Sequence, residues 1–122
     1  MFEGIKILGV EVSHRACRLI MTTAVEGGLD GISYWANVKL LTRSQEDDLI
    51  EHFTLQDAEG NLDKVYEVTN SSINVAVKRL ICDPESCDLP STPHGLMDQD
   101  HFDANVADLV IQVACFGKVI YG

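Results

Sequence analysis

The hydrophobic pattern of the first 28 residues predicts a strand followed by a helix. Apolar residues dominate Ile5 to Val12, where side chains alternate between two faces as they do in a strand. Ser13 is a residue type that caps helices, because its hydroxyl accepts a hydrogen bond from a first-turn amide. Gly27 and Gly28 end the predicted helix, since glycine supplies the positive φ common at helix C-termini. Between these signals, the apolar residues keep the spacing of a buried helix face: Cys17, Ile20, Met21 and Ala24.

Three hydrophobic runs in the middle of the chain predict an antiparallel meander. Residues 32–41 are rich in aromatic and β-branched residues and read as a strand that contains Tyr34 and Trp35. As neighbours in a strand, these two side chains would point to opposite faces. Residues 50–56 alternate, and the turn residues 57–61 separate them from a third run at 62–68.

Two further helices are predicted in the second half of the chain. Thr69 or Ser71 can cap the first, whose buried stripe is Ile73, Ala76, Val77, Leu80 and Ile81. Residues 82–102 contain all three prolines and show no period, which predicts a long irregular loop. Asp103 caps the last helix, and Gly117 ends it. Its apolar stripe is Val106, Leu109, Val110, Val113 and Phe116, and its other face carries Asn105, Asp108, Gln112 and Cys115.

These elements predict a single α+β domain over residues 1–122. The predicted order is β-α-β-β-β-α-loop-α, with three helices packed on one face of a small antiparallel sheet of three to four strands. Residues 119–121 form either a closing strand or a docked tail. An edge strand would allow a homodimer or a larger homo-oligomer.

Composition narrows the class of protein. The 122 residues are 46% hydrophobic and 23% charged, which is typical of a soluble globular domain. A net charge of −10 disfavours direct binding to nucleic acid or to an anionic membrane surface. Apolar stretches are broken well before the roughly 18 residues that span a membrane. The spacing of the cysteines fits neither a zinc site nor a disulfide framework, which favours thiols in the cytoplasm: Cys17, Cys82, Cys87 and Cys115.

Acidic residues concentrate in one part of the chain. The segment from Glu46 to Glu67 contains eight acids against the single base Lys64. One interpretation is a solvated face that keeps the protein soluble. The other is a surface that imitates nucleic acid and docks in the basic groove of a partner protein. The candidate surface residues are Glu46, Asp47, Asp48, Glu51, Asp57 and Glu59.

Signatures of catalysis are sparse. The sequence contains no G-x-S-x-G, no phosphate-binding G-x-x-x-x-G-K-[ST], no H-E-x-x-H and no G-x-G-x-x-G. Two histidines and three aspartates near the proline-containing loop have the side chains of a zinc site, but their spacing matches no ligand pattern: His94, Asp98, Asp100, His101 and Asp103. The sequence therefore predicts a protein that is not an enzyme and binds no metal or cofactor.

A scattered set of polar and aromatic residues resembles the motifs of a known family. The chain carries T-A-x-E-G-G at residues 23–28, then Y-W at residues 34–35. It ends in A-D-x-x-x-Q-x-A-x-F-G-x-x-x-Y-G at residues 107–122. This combination is similar to a family of small, mostly uncharacterised proteins encoded by phages and prophages. The resemblance implies a non-enzymatic anti-defence protein that acts in the cytoplasm of an infected bacterial host.

The motif residues admit three interpretations. Glu26 ends a helix where the dipole disfavours a carboxylate, so it needs a hydrogen bond or a ligand. In the first interpretation, it forms a structural cluster with Tyr34, Trp35, Asp108, Gln112 and Tyr121. In the second, the set lines a ligand pocket, in which Tyr34 or Trp35 stacks on a base while Arg15 or Arg18 holds a phosphate. The third is an interface with a partner protein.

Three functions follow from these interpretations. The first is an acidic inhibitor of a nucleic-acid-binding host defence protein, such as a CRISPR effector. The second is an oligomeric sponge that sequesters a nucleotide immune signal. A metal-dependent enzyme using His94 and His101 is a weaker alternative.

Overall fold

The fold is α+β, as predicted, in a computed structural model that describes residues 12–60, 64–93, 96 and 103–121. The predicted first strand at residues 5–12 lies almost entirely outside the described residues. The described part contains three α-helices and three strands. Their bounds are α1 His14–Glu26, β1 Ala36–Arg43, β2 Ile50–Asp57, β3 Val65–Thr69, α2 Asn70–Cys82 and α3 Ala104–Phe116.

Each α-helix begins at a side chain that caps it. The Ser13 hydroxyl accepts a hydrogen bond from the Ala16 amide at 3.0 Å. Thr69 caps α2, and Ser72 returns the bond in a capping box. Asp103 caps α3 by accepting from the amide of Val106 at 2.8 Å. The caps predicted for α1 and α3 are confirmed, and of the two candidates for α2 the structure selects Thr69.

The strands form the predicted antiparallel meander, in the order β1-β2-β3. Phe53, Leu55 and Val68 are fully buried beneath the helices. On the opposite side of the sheet, Thr54 opposes the exposed Glu67. Within the described residues, β1 pairs with β2 alone, so one edge of β1 has no neighbouring strand.

The predicted strand at residues 32–41 is wrong at its start. Ile32–Tyr34 is a 3₁₀ turn, and the Trp35 amide donates to the Ile32 carbonyl at 3.0 Å. The strand begins at Ala36, so Tyr34 and Trp35 do not alternate across a sheet. Propensity favoured a strand here, but hydrogen bonds to α3, described below, hold the two aromatic residues in the turn.

The predicted polar face of α3 is not a solvent face. Asp108 is 6% exposed and Gln112 is 0% exposed, whereas Leu109 of the predicted apolar stripe is half-buried. The helix is therefore buried on nearly all sides, between the other helices and the sheet. Gly117 ends it as predicted, with a left-handed φ of 80°.

The predicted irregular loop contains a short 3₁₀ helix at Pro84–Cys87. Beyond it, the Thr92 hydroxyl donates to the Leu80 carbonyl at 3.0 Å and ties the loop to α2. Residues 94–95 and 97–102 lie outside the described residues. Among the helices described, none is long and apolar enough to cross a membrane.

Candidate functional site

The structure brings four of the predicted site residues together: the side chains of Tyr34, Trp35 and Gln112 surround the carboxylate of Asp108. The Tyr34 hydroxyl donates to Oδ2 at 2.6 Å, and the Trp35 indole Nε1 donates to Oδ1 at 2.7 Å. Gln112, one turn along α3, donates to Oδ1 at 3.1 Å. Burial and the hydrogen bond to Asp108 raise the pKa of Tyr34 well above its ordinary value. The phenol therefore stays protonated and keeps its role as donor.

Gln112 also forms hydrogen bonds with the last residues of the described chain. Its Oε1 accepts from the amides of Ile120 and Tyr121, both at 2.8 Å. Its Nε2 donates to the Tyr121 carbonyl at 3.0 Å. A single buried amide thus binds the backbone of residues 120–121 through both of its ends, so these residues form the docked tail rather than a closing strand.

The docked tail places Tyr121 over Trp35. The two rings stack at 5.6 Å with an interplanar angle of 22°, and Phe116 lies against the Trp35 ring at 5.3 Å. The Tyr121 hydroxyl donates to both oxygens of the Asp57 carboxylate at 2.9 Å. Burial and this hydrogen bond raise the pKa of Tyr121 to about 12. Aromatic packing and hydrogen bonds therefore join α3, the tail, the Trp35 turn and β2.

This geometry favours the structural interpretation of the cluster. Trp35 is 0% exposed, so its ring offers no face to a ligand in this conformation. Tyr34 is 44% exposed, but its hydroxyl is held by Asp108. Glu26 lies apart from the cluster, because its carboxylate accepts a hydrogen bond from Arg43 at the end of β1. That bond supplies the partner that a carboxylate at a helix C-terminus needs.

The two arginines proposed to hold phosphate have different surroundings. Arg15 is exposed on α1. Arg18 donates from Nη2 and Nε to one Asp47 oxygen, at 2.8 and 3.0 Å. The hydrogen bond from Arg18 holds the pKa of Asp47 below its usual value. A phosphate at Arg18 would have to displace this carboxylate.

The residues of the predicted acidic surface separate into two groups, one at each end of β2. Glu46, Asp47 and Asp48 form the turn between β1 and β2, which we name the acidic turn, and Glu51 follows it half-buried. Glu59 is exposed beyond the other end of β2. An eight-residue strand spans about 26 Å, so the groups do not form one patch.

Asp57 does not belong to an exposed surface, since it is 5% exposed and bound to Tyr121. The sequence predicted it as the first residue of a turn and gave no sign of this contact, because Tyr121 lies 64 residues away. The pairing of Arg18 with Asp47 joins residues 29 positions apart and is equally hidden in the sequence.

The residues considered for metal binding are only partly described. Asp103 serves as the cap of α3, and the other four candidates lie outside the described residues: His94, Asp98, Asp100 and His101. Among the residues that the structure describes, no group of three or more His, Cys, Asp or Glu side chains is placed to hold a metal ion.

The four cysteines are thiols without a disulfide. Cys17 and Cys87 are buried, Cys115 is partly buried and Cys82 is exposed. Burial raises the pKa of the Cys17 thiol to about 11 and that of Cys115 to about 12. These two thiols are therefore poor nucleophiles near neutral pH.

A groove beside β1 was not anticipated from the sequence, and it lies at the edge with which no strand pairs among the described residues. It is a shallow groove of about 480 Å³, open to solvent, between the end of α1, the 3₁₀ turn and β1. Its lining residues are Val25, Ile32, Ser33, Ala36, Asn37, Val38 and Lys39. The hydrophobic pattern of the sequence predicts that β1 belongs to a sheet. Which strand lies at the edge of that sheet depends on how the strands pair in the folded protein.

Comparisons with known proteins give no relative for this chain: no family model, curated protein or solved structure matches it.

Proposed function

We propose that this protein acts by binding, as a phage-encoded inhibitor of a host defence protein, and that the acidic turn is its contact surface. The partner is a nucleic-acid-binding component such as a CRISPR effector, and the acidic side chains occupy the groove that normally holds phosphates. The proposal rests on the family resemblance of the motifs and on the way the fold presents the acidic turn.

The observation that carries the proposal is the rigid anchoring of the acidic turn. The Arg18 side chain on α1 donates to the Asp47 carboxylate, and the Leu49 amide donates to the same carboxylate at 3.1 Å. The Asp48 amide donates to the Ser44 carbonyl at 2.9 Å, and Arg43 donates to the Asp48 carbonyl at 3.0 Å.

This anchoring leaves Glu46 and Asp48 exposed on a fixed backbone. A rigid surface loses less conformational entropy on binding than a mobile one, so more of the interaction energy remains as affinity. The net charge of −10 adds long-range attraction to a basic partner and speeds encounter with it.

The nucleotide sponge has less support from the geometry. It requires a ring that can stack on a base and a guanidinium that can meet a phosphate. Trp35 is buried beneath Tyr121, and Arg18 is occupied by Asp47, so only Tyr34 and Arg15 remain exposed for these two roles.

A charge-reversal experiment tests the inhibitor proposal. The double variant E46K/D48K reverses both exposed charges of the acidic turn. The matched control is E85K/D88K, which also replaces an exposed glutamate and an exposed aspartate. Asp48 and Asp88 share a left-handed backbone, with φ of 60° and 64°, so the two substitutions carry similar conformational costs.

Two assays read out these variants. In the first, phage plating is measured on bacteria that express the protein together with a CRISPR system. In the second, purified CRISPR effector binds target DNA in a gel-shift assay with the protein as competitor. We expect wild type and E85K/D88K to restore plating and to displace DNA, and E46K/D48K to fail in both. Competition should weaken as salt rises, because salt screens exposed charges. Equal activity of the two double variants, or no effect of wild type, would contradict the proposal.

A further inference from the structure

The groove beside β1 combines a lining of both apolar and polar side chains with backbone groups that pair with no other strand among the described residues. The Ala58 amide donates to the Trp35 carbonyl at 2.8 Å, which sets the alternation of the antiparallel ladder. Ala36 opposes Asp57 and Val38 opposes Leu55 in that ladder. Residues 35 and 37 therefore direct their amides and carbonyls towards β2, and Ala36 and Val38 direct theirs outward.

Both outward-facing residues line the groove. Within the described part of the chain, no strand pairs with this edge of β1. An added strand could form backbone hydrogen bonds with Ala36 and Val38 while its alternate side chains enter the groove against Val25 and Ile32. This is the geometry of β-strand addition, in which backbone bonds give affinity and side-chain pockets give specificity.

The positive charge of Lys39 makes the groove favour a ligand with an acidic side chain. The ladder register shifts between Val38 and Leu40, so Lys39 occupies a bulge in the edge strand. Among the described residues that line the groove, Lys39 alone is charged, and it is exposed. A strand that places an acidic side chain beside Lys39 is complementary to it, whereas a second β1 strand would bring another Lys39 and Arg43 to the same edge.

We propose that this edge of β1 binds an extended peptide segment of a partner protein, with apolar side chains in the groove and an acidic side chain beside Lys39. This surface is separate from the acidic turn, and its failure would leave the inhibitor proposal standing.

A pair of synthetic peptides tests the proposal on the full chain. The probe is a fluorescein-labelled hexapeptide that alternates threonine and valine and carries one central aspartate. Its control replaces the aspartate by lysine. Fluorescence anisotropy, at protein concentrations up to about 1 mM, should show tighter binding of the aspartate peptide. In K39E the preference should reverse, with roughly a two- to fivefold loss for the aspartate peptide, the range of an exposed ion pair.

A proline variant tests the backbone hydrogen bonds. V38P removes an outward amide, and an edge strand tolerates proline where that amide faces solvent. We expect roughly a tenfold loss of peptide binding. V65P is the control, because Val65 opposes Gln56 on β3 and its amide faces outward at the opposite edge. V65P should bind the peptides as wild type does, and circular dichroism checks that both variants fold.

Several results would overturn the proposal. One is the absence of binding by either peptide, and another is an equal loss in V38P and V65P. Slow hydrogen exchange of the Ala36 and Val38 amides without peptide would show that the edge is already paired. If the protein is a monomer, the pairing strand then belongs to the same chain. If it is a dimer, the pairing strand belongs to a second copy. If K39E still prefers the aspartate peptide, Lys39 does not select an acidic side chain, and that part of the proposal is wrong.

Discussion

At the scale of single residues, the buried carboxylate of Asp108 is the group that most needs hydrogen-bond partners. A buried charge is costly unless hydrogen bonds replace the lost water. Here three side chains donate to it, from Tyr34, Trp35 and Gln112. The aspartate therefore sets the positions of both aromatic residues, and through Gln112 it is connected to the docked tail.

Removing this carboxylate should destabilise the protein strongly. D108A leaves two or three buried donors without an acceptor, so we expect the free energy of unfolding to fall by about 3 kcal/mol. D108N keeps the shape and one acceptor oxygen and should lose less. Urea unfolding measures the difference, with D30A as the control at an exposed aspartate. A D108A variant as stable as D30A would exclude a structural role for the cluster.

Thiol burial gives a second prediction at this scale. Cys82 is exposed, whereas burial raises the pKa of Cys17 to about 11 and that of Cys115 to about 12. At pH 8 a thiol reagent should react fast with Cys82 and slowly with the two others, because the thiolate is the nucleophile. Mass spectrometry of the labelled protein identifies the sites. Fast labelling of Cys17 in the native protein would contradict the burial described here.

At the scale of elements, the glycines after α1 permit close packing against α3. An added Cβ at Gly27 would lie 2.5 Å from the Thr23 carbonyl oxygen and 2.7 Å from the Ala104 Cβ. The neighbouring Gly28 has a φ of 66°, which favours glycine. The two glycines therefore serve different purposes: the first allows a close approach of helices, and the second allows a turn.

This distinction predicts a difference between two substitutions. G27A forces apart the end of α1 and the start of α3, which should cost about 2 kcal/mol or more. G28A meets open space and carries only the strain of its backbone, about 1 kcal/mol. Thermal unfolding of both variants should rank G27A as the less stable. The opposite order would mean that the helices do not approach each other as closely as described.

At the scale of the whole molecule, burial and hydrogen bonding of tyrosine hydroxyls make the free energy of unfolding fall as the pH rises above 10. The pKa of Tyr121 rises from 10.0 to about 12 on folding, because of burial and its bond to Asp57. Below pH 10 the phenol is protonated in both the folded and the unfolded chain. Between pH 10 and 12 the unfolded chain loses the proton first, so the folded state loses stability as pH rises.

The test is the pH dependence of the Tyr121→Phe variant. Wild type should lose free energy of unfolding steeply from pH 10 to 12, and the variant should lose less over the same range. Its remaining slope comes from groups such as Tyr34, whose pKa is also raised on folding. Denaturant titrations at each pH give the two curves. Parallel curves would show that the Tyr121 hydroxyl does not bind Asp57 in solution.

The sequence by itself determined the α+β class, the three α-helices, the caps of α1 and α3, and the order of the meander. These features depend on local spacing: a hydrophobic stripe of period 3.6, a capping hydroxyl or carboxylate, a glycine at a helix end. It also placed six residues in one group, although Glu26 proved to lie apart and the sequence did not decide what the group does: Glu26, Tyr34, Trp35, Asp108, Gln112 and Tyr121.

Only the tertiary structure decided the surroundings of these residues. Burial of Asp108 and Gln112 depends on which helices and strands cover α3, and the pairing of Tyr121 with Asp57 joins positions 64 residues apart. Strand order likewise divided the acidic segment between two ends of β2 and left one edge of β1 open within the described chain. Local pattern specifies each element, but long-range contacts determine which side chains meet and which surfaces stay exposed.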